Sequence, residues 1–156
     1  MDVARSASGP GQAPGTEERW LWLGEPTVLR ASGEQTHGHY AMVEVVSTPQ
    51  GFVPLHVHHR EDEAFFVLEG DVTFTFGDRT IDAGPGSFAF GPRDVPHRYT
   101  VRTPSARMLM LFSPAGFEGF IRETSQPLDA AHDITQDIDI ELVLDAAARY
   151  GAEVLE

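Results

Sequence analysis

From Trp20 to Pro114 the chain is cut into short β-prone runs by Gly, Pro and Asp, and this punctuation constrains the fold more than any other feature. RWLWLG, PTVLRA, HYAMVEVV, EAFFVLE, DVTFTF, RTIDA, SFAFG, HRYTV and ARMLMLFS are rich in Val, Phe, Tyr and Thr, side chains that suit a pleated surface. Glycines in EGD (Glu69–Asp71), FGDR (Phe76–Arg79) and GPGS (Gly84–Ser87) supply the backbone angles of tight turns. No long helical run separates the strands, which argues against a parallel α/β sheet and predicts an all-β sandwich or barrel. A length of 156 residues fits one such domain with a substantial core.

After Pro114 the character changes. GFEGFIRET reads as a short helix and DIDIELVLDAAARYG as a longer one, capped at its start by Asp137 or Asp139 and at its end by Gly151. Ile138, Leu142, Ala146 and Tyr150 would form its apolar stripe. The expected organisation is therefore a disordered segment over 1–19, a barrel over 20–114 and a helical extension over 115–156 packed on the barrel. The first segment is rich in Gly, Pro, Ala and Ser and lacks the apolar stretch of a signal peptide.

Composition narrows the chemistry. The formal charge of −13 argues against nucleic acid or an anionic membrane as partner. The chain contains neither Lys nor Cys, which excludes Schiff-base lysines, thiol nucleophiles and cysteine-held clusters. The missing Cys is compatible with the cytoplasm, the expected compartment. No Gly-rich phosphate loop or Gly-x-Ser-x-Gly elbow is present.

What remains is PLHVHHREDEAFFVLEG, from Pro54 to Gly70. On a strand alternate residues share a face, so His56 and His58 point the same way and His59 the other. If EAFFVLE pairs beside PLHVH, Glu63 reaches the same point, and His97, after Pro96, offers a fourth ligand. Three neutral nitrogens and a carboxylate suit one divalent first-row transition metal: Mn, Fe, Co, Ni, Cu or Zn.

This constellation resembles the cupins. Gly51, His56, His58, Glu63 and Gly70 fit the first cupin motif, although the four residues between Gly51 and His56 are one fewer than usual. Gly86, Pro92 and His97 fit the second; Asp94 stands where Gly is usual and Val101 where Asn is usual. PLHVHHREDEAFFVLEGDVTF, SPAGFEGF and AARYGAEVL are similar to small quercetin-dioxygenase-like cupins. The resemblance implies a double-stranded β-helix (a jelly-roll barrel), metal ligation by His56, His58, Glu63 and His97, and a homodimer.

The function this implies is a metal-dependent dioxygenase acting on an aromatic or enolic small molecule with O₂, Glu63 also accepting a substrate proton. The alternatives are a metal-dependent isomerase, cyclase or dehydratase, and a non-catalytic binding protein. Candidate substrate-contacting residues are His39, Phe65, Val67, Phe74, Phe90, Tyr99, Met108 and Met110, with Phe88 weighed beside them, although ordinary barrel core is the more common role of such apolar side chains. His37 and His39 form a second His-x-His, expected at a partly exposed strand start. The charges of REDE, His132, Arg98 and Arg102 are expected at the surface.

Overall fold

The computed structural model describes residues 11, 12, 15–128 and 138–156. The expected disorder of 1–19 thus falls mostly outside the described residues, as do His132 and Asp137. Ten strands correspond to the nine runs read from the sequence and to PLHVH: β1 (Arg19–Trp22), β2 (Glu25–Ala31), β3 (Ala41–Ser47), β4 (His56–His58), β5 (Asp62–Glu69), β6 (Val72–Phe76), β7 (Arg79–Ala83), β8 (Phe88–Gly91), β9 (His97–Val101) and β10 (Ala106–Ser113). They are followed by α1 (Glu118–Thr124), β11 (Ser125–Pro127), α2 (Ile140–Arg149) and β12 (Ala152–Val154).

The strands form two antiparallel sheets, ordered β11-β1-β2-β3-β10-β5-β8 and β12-β4-β9-β6-β7. This is the expected double-stranded β-helix. Burial alternates residue by residue along β3, β6, β9 and β10, the period of strands with one face inward. Val43, Val45, Val67, Met108 and Phe112 meet Val72, Phe74 and Val101 in the core between the sheets. Gly70 holds the β5–β6 turn at φ 83°, and a Cβ there would overlap the Ser105 carbonyl oxygen.

The segment after Pro114 is less purely helical than its sequence suggests. β11 pairs with β1 and β12 with β4, so the extension adds an edge strand to each sheet. Short strands of three residues carry too little periodicity to be read locally. α2 starts on Asp139, whose carboxylate accepts from the Leu142 amide, and is followed by Gly151 at φ 74°. Its inward face is carried by Val143, Ala146 and Ala147, whereas Leu142 is exposed. Of the expected stripe, Ala146 is buried and Ile138 and Tyr150 pack against the core, so Leu142 alone departs from it.

Candidate metal centre

β4 brings His56 and His58, β9 brings His97 directly opposite His56, and β5 brings Glu63 from the other sheet. One ligand atom from each of the four lies within 4.8 Å of the others. His58 and His97 are 2% exposed and Glu63 4%.

The hydrogen bonds around the three rings determine which nitrogen faces inward. His56 Nδ1 lies 2.8 Å from the Pro54 carbonyl and His97 Nδ1 3.2 Å from the Val95 carbonyl. Carbonyls only accept, so both Nδ1 atoms carry the proton. His58 Nδ1 donates to Glu61 Oε1 at 3.0 Å. In the neutral rings each Nε2 is then a bare lone pair. Yet Glu63 Oε2 sits 3.0 Å from His58 Nε2 and 2.9 Å from His97 Nε2. Acceptors this close need a proton or a cation between them, and the four groups fit a divalent transition metal in number, type and orientation.

Protonation follows the same logic. Burial opposes a charge on His58, but the Glu61 and Glu63 carboxylates outweigh it and lift its pKa to about 9. His56 has no such carboxylate on its outer nitrogen; burial, then His97, depresses it to about 4. Burial pushes Glu63 up, but His58 and His97 hold it well below the usual carboxylate range.

A cavity of about 80 Å³ opens beside the centre, lined by His56, His58, Glu63, Phe65, Tyr99 and Met110. Its remaining wall is mostly apolar and includes Trp22, Phe52, Phe117 and Phe120. Phe117 stands edge-on to His58 at 4.5 Å. Val143 and Ala147 of α2 close one side. These helix residues were not legible from the sequence as cavity wall, since nothing local says where the extension folds back.

Of the other candidate contacts, Val67, Phe74 and Met108 are buried in the core and do not line the cavity. Alternation selects the face of a strand but not the depth along the barrel. Phe90 is 49% exposed: β8 turns Ala89 and Gly91 inward and Phe88 and Phe90 outward. His39 lies in an exposed turn away from the cavity, its carbonyl accepting from Ser113 Oγ. His37 is in the same turn, at φ 55°.

The run REDE is not uniformly solvated. Asp62 pairs with Arg93, but Glu61 is 4% exposed and holds His58. His59 faces outward between Asp94 and Glu153, as its parity requires, and Arg98 pairs with Glu156. Asp94 occupies the usual Gly position at φ 67°, a conformation aspartate tolerates, and its amide donates to the His58 carbonyl. Val101, at the usual Asn position, is core.

Residues 43–113 match the Cupin domain family. The fold is similar to an RmlC-like cupin from Shewanella frigidimarina, with a TM-score of 0.60 and 17% identity, over 72% of this chain and 96% of that one. The barrel carries a cupin domain. This cupin is also 26% identical over 99 residues to quercetin 2,3-dioxygenase from Bacillus subtilis, covering 64% of the cupin but only 29% of the enzyme. It thus spans under a third of that relative's length. Pac13, a nucleoside dehydratase from Streptomyces, shares the fold with a TM-score of 0.54 and 19% identity, over 66% of this cupin and 80% of Pac13. Among the described residues no helix is long and apolar enough to cross a membrane.

Proposed function

We propose that this cupin is a metal-dependent dioxygenase acting on a small aromatic or enolic compound. The observation that carries the reading is the convergence of three imidazole Nε2 atoms and one carboxylate at the edge of an apolar cavity. The likeness to quercetin 2,3-dioxygenase adds support. A divalent transition metal held by His56, His58, Glu63 and His97 would supply Lewis acidity and, where redox-active, electrons for O₂ chemistry.

The chain's own residues do the rest. Phe65, Met110 and Phe117 exclude water and pack against an apolar substrate face. Glu63 accepts the substrate's hydroxyl proton. Its carboxylate is a weak base while His58 and His97 hold it, so it takes a proton only from a hydroxyl that is itself acidified at the same centre. The cavity has about half the volume of one known to enclose benzene, roughly 150 Å³. A fused-ring substrate must therefore leave part of itself outside the cavity mouth.

A second reading, a metal-dependent dehydratase, isomerase or cyclase, is favoured by the shared fold of Pac13. One experiment separates the two. Protein reconstituted with each of Mn, Fe, Co, Ni, Cu and Zn is offered a panel of phenols, enols and nucleosides under air and under nitrogen. Substrate loss with matching O₂ uptake supports the dioxygenase. Turnover that continues under nitrogen refutes it in favour of the second reading, and no turnover with any metal leaves a binding protein.

A further inference from the structure

Apart from His56, His58 and Glu63, the cavity-lining residues that carry a polar side-chain group are Glu25, Tyr99 and Trp22. The indole N–H is already committed to Thr124 Oγ1. Glu25 and Tyr99 are joined by Ser47, which is fully buried: Ser47 Oγ lies 2.6 Å from Glu25 Oε2 and 2.8 Å from the Tyr99 hydroxyl. Glu25 opens β2, Ser47 ends β3 and Tyr99 is on β9, so the chain of hydrogen bonds bridges the two sheets. Glu25 is 8% exposed and, among the described residues, pairs with no Arg. Gly51 makes room for it, because a Cβ there would overlap Glu25 Oε1. A buried acid kept without a cationic partner costs stability and points to a use.

The hydrogens in this chain can run two ways. With Glu25 ionised, Ser47 must donate to it and accept from Tyr99, whose oxygen then presents lone pairs to the cavity. With Glu25 protonated, a state its burial favours, the direction can reverse and Tyr99 donates into the cavity. A ligand carbonyl satisfies one arrangement. A ligand hydroxyl satisfies both.

We propose that Tyr99, oriented by Ser47 and Glu25, binds a second hydroxyl of the substrate, so that the site selects small molecules carrying two separated hydroxyl groups. Tyr99 touches the ligand; Ser47 and Glu25 are positioning residues. The first hydroxyl's place at the centre rests on the metal-dependent reading above, whereas the Tyr99 contact is tested independently of it.

The test uses zinc-reconstituted protein and calorimetric binding of phenol, resorcinol and hydroquinone; neither diol can chelate. Wild type should bind at least one diol roughly fivefold or more tightly than phenol, the size of one net hydrogen bond. Tyr99→Phe should abolish that preference while zinc content stays unchanged. Glu25→Gln retains an amide oxygen for Ser47 and should keep most of the preference. Glu25→Ala and Gly51→Ala should lose it. A preference absent in wild type, or undiminished in Tyr99→Phe, overturns the proposal. Repeating the titrations on zinc-stripped protein isolates the other reading: undiminished phenol binding there counts against the metal centre and leaves the Tyr99 comparison standing. If Glu25→Ala fails to fold, Tyr99→Phe, which removes a single oxygen, still decides.

Discussion

Replacing Glu61 removes the acceptor behind His58 without touching a ligand atom. The bond from His58 Nδ1 to Glu61 Oε1 is 3.0 Å long, and both partners are nearly sealed from water. A hydrogen bond to a charged group contributes about 1.5–3 kcal/mol net, which at about 1.4 kcal/mol per decade is roughly 10- to 150-fold in affinity. Loss of an outer partner of a ligating histidine elsewhere weakens metal binding by about 10- to 100-fold, so the two figures agree. Glu61→Ala should therefore bind zinc about 100-fold more weakly. Glu61→Gln, which keeps an acceptor oxygen but no charge, should fall near the lower end, about 10-fold. Chelator competition at constant pH measures both, with thermal melts to confirm folding. Wild-type zinc affinity in a folded Glu61→Ala protein would refute the claim that this carboxylate sets the ring's tautomer and basicity.

Metal uptake should also release protons. The His58 pKa is raised to about 9 from about 6.5, so the folded metal-free protein holds a proton there that ligation must expel. Calorimetry in buffers of different ionisation enthalpy should find about one proton released per zinc at pH 7.5 and fewer above pH 9; none at pH 7.5 contradicts the assignment. The same shifts set the pH dependence of metal-free stability. The His58 contribution is complete below about pH 6.5 and is lost as pH rises towards 9, whereas depression of His56 to about 4 costs stability as pH falls from 6.5 towards 4. Melting temperature should therefore decline on both sides of about pH 6.5, and a monotonic profile would count against these assignments. Glu63→Gln should retain part of its metal yet turn over at least about 100-fold more slowly; a metal-loaded variant working at the wild-type rate removes Glu63 as base. The expected homodimer is checked by sedimentation. If copies meet at the exposed face of Phe66, Phe88 and Phe90, Phe88→Ser/Phe90→Ser should yield monomer, and a monomeric wild type ends the expectation.

The β frame and the His56–His58 pair were legible because both depend on short-range spacing; Glu63 and His97 were read from the cupin motifs, and EAFFVLE does not pair beside PLHVH, since β5 lies in the other sheet. Parity places His56 with His58 and sends His59 away, and turn glycines delimit the strands. Glu61 was misread because a run of charges resembles a solvated turn; only the fold shows that its carboxylate lies behind His58. Phe90 was misplaced for a related reason, and Val67 took the core role open to it rather than a place in the cavity wall. A strand's alternation names two faces but says neither which one looks inward at a sheet edge nor how deep a residue sits. Glu25 carried no local signal, since its partners Ser47 and Tyr99 are 22 residues away and further still along the chain.

The cavity wall has two origins in the chain. His56, His58, Glu63 and Tyr99 belong to strands paired on both sides, whereas Phe117, Phe120, Val143, Ala147 and Val154 come from the late segment, whose β11 and β12 pair with the sheet edges. The two parts of the wall can thereby vary apart: the polar cluster and Tyr99 with the barrel, the apolar side with the extension. Variation in the late segment can reshape the apolar side of the cavity while the His–Glu cluster is inherited unchanged, so exchanging that segment between cupins of this build should alter which apolar groups the cavity admits.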